Sequence, residues 1–433
     1  MRRWVRISLS LSTVAAMLAA SASCRQRAPD KPARPGARAP ALPPVLPLPR
    51  PVMAVETRPS PLAPTPPGLA PWPGFRGTPD QRGIAPGELG SDFVRLWRFP
   101  TGGPVRSSPV IAEGKVFVGS DDGAVYAIDL ASGKKVWAAM TGGSVSAAPL
   151  YAGRRIYVGS QDRTLYCLSA ASGGLIWKFA TAGEIRAAAA WAPDGPGPGR
   201  LDTFDGKILV GSYDFKLYCL RASDGGKLWE LPTENSINGT PALAGGRVVF
   251  GGCDNAVYVV NLADGHVLTR LPTGGEMAYI PASAALDGAQ AFVANYEGKL
   301  MRIDVAAGRI DWAMPLQESQ EFCSAALTDA LVLVGGGDGV LHCRDRRDGR
   351  KVWDFPTGGP IESSPVVVDG KVVFGSHDGR LYVLALADGR KLWSYDLGQA
   401  VASGPAVVDG KIIVGCDDGY VYAFGPAAKR EHE

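Results

Sequence analysis

The sequence predicts an all-β chain whose folded part is an eight-bladed β-propeller of four-stranded antiparallel blades, and three observations predict it. Glycine and proline are abundant, 55 and 35 of 433 residues, and the glycines follow no three-residue period. That composition fits short strands joined by many tight turns and excludes collagen. A tryptophan position recurs at Trp97, Trp137, Trp177, Trp229, Trp312, Trp353 and Trp393, with Thr269 fifth in the series, at spacings of 40, 40, 52, 40, 43, 41 and 40 residues. Each period holds four alternating strand-like runs, which is the sequence form of a propeller blade.

The N-terminus reads as an export signal: Arg2, Arg3 and Arg6 precede an apolar stretch, Ile7 to Ala20, that is too short to span a bilayer. Ser21, Ala22 and Ser23 lead to Cys24, which resembles a bacterial lipoprotein signal and implies lipidation of Cys24. Ser21 stands where that pattern usually has Leu, so ordinary cleavage nearby stays open as the alternative. Residues 25–72 are rich in Pro, Ala and Arg without apolar period and predict an extended tether. A lead-in covers 73–93, the propeller 94–425 and a short tail 426–433.

The unit begins with a Ser-Ser-Pro-like strand start, continues through a Gly-Lys-Val strand and a turn, and ends in a Tyr-centred strand. Ser107-Ser108-Pro109 and Ser363-Ser364-Pro365 open the clearest copies. The chain enters on a Trp strand, Val94 to Pro100, and leaves after the Tyr strand that ends at Phe424. The entering strand is therefore expected to complete the last blade and remove two open edges. Each Trp is expected to pack between blades, and Thr269, assigned to blade 5, to leave a looser seam.

These residues resemble the pyrroloquinoline-quinone-type propeller repeat. Tyr126-Ala127-Ile128-Asp129 followed by Ser132-Gly133-Lys134-Lys135-Val136-Trp137 lies close to that repeat's ideal. Trp72-Pro73-Gly74-Phe75-Arg76-Gly77 is similar to the lead-in of secreted members. An export signal with eight such blades and little else most resembles the lipoproteins of the outer-membrane β-barrel assembly machinery. The resemblance implies a monomeric, non-enzymatic scaffold on the periplasmic side of the outer membrane, held by a lipid anchor and binding protein partners of the cell envelope. Arg25 is not the Asp that would signal inner-membrane retention.

The same repeat occurs in quinone-dependent alcohol dehydrogenases, which use an adjacent cysteine pair, calcium-binding carboxylates and long loops. No two of the seven cysteines here are adjacent, and His266, His342, His377 and His432 fall in separate units. Neither pyrroloquinoline quinone nor calcium is expected, and a fold alone supplies no catalysis. A periplasmic ligand sensor is the other class in play. Asp122, Asp162, Asp214, Asn255, Glu297, Asp338, Asp378 and Asp418 are assigned to one hairpin position in all eight blades, which turn geometry explains. Cys167, Cys219 and Cys343 share a third-strand position, and Cys253 and Cys416 are assigned to the turn-serine position. All are expected to be buried free thiols.

Binding should show where the repeat varies. Two residues before the Ser-Pro pair, the inner strand is expected to face the mouth of the central channel through Arg106, Ser146, Arg186, Asn238, Ala278, Phe322, Glu362 and Ala402, with Tyr279 beside them. Such an asymmetric ring suits a peptide segment or a small anionic ligand, against a merely solvated channel. An insertion in blade 3, bracketed by Trp191 and Phe204, explains the 52-residue spacing and offers a partner loop on the opposite face. In the resembled lipoproteins the barrel-assembly contact uses two neighbouring loops bearing a Leu-x-Leu-Arg run and paired aspartates. Register carries these onto Asn235 to Gly239, with Ser236 and Asn238, and Gly274 to Tyr279, with Glu276. The Leu-Arg run and one acid are absent.

Formal net charge is +3, and it resides in the signal and tether, leaving 35 basic against 40 acidic side chains elsewhere. That balance argues against nucleic acid as a partner.

Overall fold

The structure is a computed structural model that describes residues 72–194, 205–316 and 323–426. Cys24, residues 25–71 of the tether, Phe204, Phe322 and residues 427–433 of the tail lie outside the described residues, whereas Trp72 and Pro426 lie within them. Within them are 32 strands, numbered β1 to β32 in chain order, arranged as eight four-stranded antiparallel sheets with no helix. Blade 1 is β2 (Val110–Ala112), β3 (Lys115–Gly119), β4 (Ala124–Asp129) and β5 (Lys135–Met140), running from the channel outward. The following blades repeat this order. Blade 8 joins β30 (Ala406–Val408), β31 (Lys411–Gly415) and β32 (Tyr420–Pro426) to β1 (Phe93–Pro100), which pairs antiparallel from Phe93 opposite Pro426 to Pro100 opposite Tyr420. The entering strand thus closes the ring as its phase predicts.

Two contacts explain why the repeat needs its residues. A methyl group placed on Gly119, Gly159, Gly211, Gly251, Gly335, Gly375 or Gly415 would lie 2.1–2.4 Å from a Val or Ile of the neighbouring inner strand, so only glycine lets adjacent blades meet there. Farther out, Trp97, Trp137, Trp177, Trp229 and Trp353 each lie under a left-handed turn glycine of the next blade. Each donates its indole N–H to a backbone carbonyl of that blade, at 2.9–3.2 Å. Thr269 belongs to the outer strand of blade 4, not blade 5, because every Trp strand is the last of its own sheet. It faces Gly308 of blade 5, where an added methyl would meet it at 3.0 Å, against 2.6 Å for Gly133 over Trp97.

The turn acids form a second repeated contact. Tyr126, Tyr166, Tyr218 and Tyr382 donate their hydroxyls to Asp122, Asp162, Asp214 and Asp378 at 2.6–2.7 Å, and Tyr258 does so to Asp254. The blade-4 member is therefore Asp254 and not Asn255. Asn255 is the next residue and has a positive φ of 63° at the position where Gly123, Gly379 and Gly419 have 82–87°. By the same shift Cys253 lies one residue past the turn-serine position, which Gly252 occupies. Six cysteines among the described residues are buried and form no disulfide. Burial pushes the Cys167, Cys219, Cys343 and Cys416 thiols up to about 12 and Cys323 up to about 11, so they stay protonated.

The lead-in closes the channel at one end. Carbonyls of Trp72, Pro73, Pro79, Asp80, Arg82 and Gly83 accept the backbone N–H groups of Ile111, Tyr151, Leu243, Leu286, Leu327 and Val367 in turn, one from the inner strand of each of six blades. Arg76 is buried in this floor, donating to Gln81 O at 2.8 Å, Ser324 O at 3.0 Å and Ala325 O at 2.5 Å. Burial pulls its guanidinium down from 12.5 to about 10.

Candidate functional site: the channel mouth

The open end is set by the inner strands. Val105, Val145, Ile185, Ile237, Ile280, Ile361 and Val401 are the residues that seat on the neighbouring glycines, so the residue after each one turns to the mouth. These are Arg106, Ser146, Arg186, Asn238, Pro281, Glu362 and Ala402. Pro281 replaces Ala278 in the ring because the loop entering blade 5 carries three extra residues. In other blades the loop threonine donates to the carbonyl two residues on, as Thr141 does to Gly143, whereas Thr273 reaches Ala278.

A second circle interleaves with the first: Asp121, Gln161, Tyr213, Cys253, Tyr296, His377 and Asp417, each donating its backbone N–H to the loop entering the inner strand of its own blade. In sequence each is the residue after the turn-serine position, and that offset is the signal that marks them. Together the two circles divide the mouth. On one side Arg106 lies 3.2 Å from Asp417 and 3.5 Å from Asp121, and Ser144 donates to Asp121 at 2.5 Å. Gln161 donates to Ser146 at 3.2 Å. Arg186 pairs with Glu184 at 2.7 Å and stacks over Tyr213, whose hydroxyl donates to Asn238 at 2.8 Å. Across the mouth, Tyr279 meets Tyr296 edge-on at 6.0 Å beside Pro281. His377 and Glu362 approach to 3.4 Å.

Burial lowers the Arg106 guanidinium, but the Asp417 hydrogen bond and the charges of Asp417, Asp121 and Glu362 outweigh it and hold it above its ordinary value. Its side chain nevertheless stays 52% exposed, against 19% for Asp417, so a cation remains presented to solvent over anchored acids. The channel is thus a well with a polar and an aromatic side and a backbone floor.

The loop candidates divide in the same way. Glu276 and Met277 are exposed at the rim and Tyr279 is half-buried, whereas Ser236 and Ile237 are buried. Trp191 is 3% exposed within the inner strand of blade 3, with its six-membered ring against Gly206, so it offers no surface to a partner. The apolar inner strand continues through it, and the insertion begins only after Pro193. Among the described residues no three His, Cys, Asp or Glu side chains group as a metal site.

Eight such blades around a floored channel make this an eight-bladed propeller of the quinone-repeat class. The family model described as outer membrane protein assembly factor BamB matches residues 94–193, 164–322 and 312–430, and the chain belongs to that family. Its fold is similar to the crystal structure of BamB from Moraxella catarrhalis, at 17% identity and TM-score 0.65, covering 77% of this chain and 100% of that one. It is also similar to a europium-containing methanol dehydrogenase, at 14% identity and TM-score 0.67, covering 82% and 98%. A third likeness is to quinohemoprotein alcohol dehydrogenase from Comamonas testosteroni, at 15% identity and TM-score 0.69, covering 84% and 82%. No curated protein matches the sequence. At these identities the structural likenesses establish the fold alone.

Proposed function

We propose that this chain is an exported, non-enzymatic scaffold that binds a protein partner of the cell envelope in outer-membrane β-barrel assembly, anchored to the periplasmic side of the outer membrane through lipid on Cys24. The observation that carries the reading is the family match, which spans all eight blades. The rim geometry supports it: the loops at Asn235 to Gly239 and Gly274 to Tyr279 enter neighbouring inner strands, and Glu276 and Met277 project from the second. The mouth is suited to a peptide segment of mixed polarity.

The donor set at the mouth does not fit calcium with a quinone. Asp121 and Asp417 are committed to Arg106 and Glu184 to Arg186, so these carboxylates already hold cations, and Glu362 lies 3.4 Å from His377. The reading therefore includes no cofactor and no redox step.

Affinity capture of the tagged, mature protein from solubilised envelopes, with mass spectrometry of the eluate, is the test. Recovery of the barrel-assembly machinery that disappears on combining Glu276→Lys with Asn238→Arg is expected. Failure to recover it, or equal recovery by the double variant, overturns the reading. A gain in absorbance and Tm on adding quinone and calcium would overturn the exclusion of a cofactor.

A further inference from the structure

The floor is not sealed evenly. Its backbone bonds pass from Pro73, on blade 2, directly to Pro79, on blade 4, while the chain between them turns back on itself through the bond from Gly77 N–H to Gly74 O, followed by a second turn from Gln81 N–H to Thr78 O. Under this arch, against the inner strand of blade 3, lies a cavity of about 230 Å³ lined by Phe75, Pro79, Leu150, Trp191, Pro193 and Gln81 among others. No charged side chain lines it.

Two polar atoms in this apolar wall are buried and have no protein partner: the indole N–H of Trp191 and the side-chain oxygen of Gln81, on residues each 3% exposed. The five inter-blade indoles described above all donate to carbonyls, whereas Trp191, like Trp312, keeps a buried indole N–H with no protein acceptor. Trp191 cannot turn away to find an acceptor, because the ring edge opposite its N–H is held against Gly206, where an added methyl would lie 2.4 Å from it.

We infer that this cavity binds a small neutral molecule with a ring-sized apolar body and one hydroxyl group. A hydroxyl oxygen accepts from the Trp191 N–H and its proton is donated to the Gln81 oxygen, so one group satisfies both orphans. An apolar body replaces water along the Phe75, Leu150 and proline walls. A carboxylate or ammonium group is disfavoured, since no opposite charge lines the cavity.

The test titrates p-cresol, and toluene as the control without hydroxyl, into the full chain carrying ¹⁵N-labelled indoles. The Trp191 signal is identified as the one missing in Trp191→Phe. Expected are a p-cresol-dependent shift of that signal and affinity for p-cresol about five- to tenfold above toluene, the worth of one net buried hydrogen bond or slightly more. In Trp191→Phe, and independently in Gln81→Met, ligand-observed saturation transfer should show that preference lost. Equal binding of the two probes, or no movement of the Trp191 signal at millimolar p-cresol, overturns the inference and leaves the cavity to water.

Discussion

Replacing Arg76 by Met tests how the channel floor is held. The guanidinium makes three good bonds to buried carbonyls, two of them on blade 6. Charged hydrogen bonds of this kind contribute about 1.5–3 kcal/mol each. Against them stands the burial that lowers the group from 12.5 to about 10, a cost of about 3 kcal/mol at 1.36 kcal/mol per pKa unit. The difference centres near ~3 kcal/mol in favour of the arginine, and Met keeps the stem while orphaning the carbonyls. Denaturant unfolding followed by tryptophan fluorescence should show that loss, and limited proteolysis should release the lead-in earlier in the variant. Gly83→Ala should act in the same direction, since its methyl would lie 2.1 Å from the Arg76 guanidinium at a φ of +68°. If Arg76→Met stays within about 0.5 kcal/mol of the parent and its lead-in remains protected, the guanidinium is not what holds the floor and the six backbone bonds suffice.

Trp353→Phe should cost about 1–2 kcal/mol by losing the bond from its indole to Leu386 O, whereas Trp312→Phe should cost less because that indole N–H is buried without an acceptor; equal costs in thermal unfolding would contradict the seam account. Burial raises the Asp354 carboxyl, but hydrogen bonds from Arg344 and Lys351 outweigh it and hold it at about 2, below its ordinary 3.8. Its stabilisation should therefore be complete above about pH 4 and be lost as pH falls toward 2, and Asp354→Asn should flatten that part of the stability–pH curve. Arg106→Ala combined with Arg186→Ala should weaken binding of an acidic peptide to the mouth at least about tenfold by fluorescence anisotropy; unchanged affinity removes the mouth as its site.

The blades were legible because a propeller repeats its contacts: the Trp spacing reports the inter-blade seam, and the phase at Val94 and Phe424 reports the closure. Legibility failed where one insertion or one-residue offset broke the register. Register alone puts Ala278 at the ring position that Pro281 occupies, because three extra residues precede Ile280, and it does not separate Asn255 from Asp254, because both residue types suit turns. Trp191 beside a Pro-Gly run looked exposed, yet it continues a buried strand. The floor left no periodic trace, since its bonds are made by backbone groups at single residues to six different blades, with side chains such as Arg76 and Arg82 adding contacts that do not repeat. The mouth was half legible: the inner-strand circle was read, while the interleaved circle of Asp121, Tyr213 and Asp417 was not.

The pairing of β1 with β32 also sets an order of events. The strand Phe93–Pro100 must wait for a partner made more than three hundred residues later, so the ring stays unlatched throughout synthesis. Any product cut short before Tyr420 keeps two bare sheet edges, the form most open to proteases and to aggregation. Latching on the final strand makes completeness of the chain a condition of its survival.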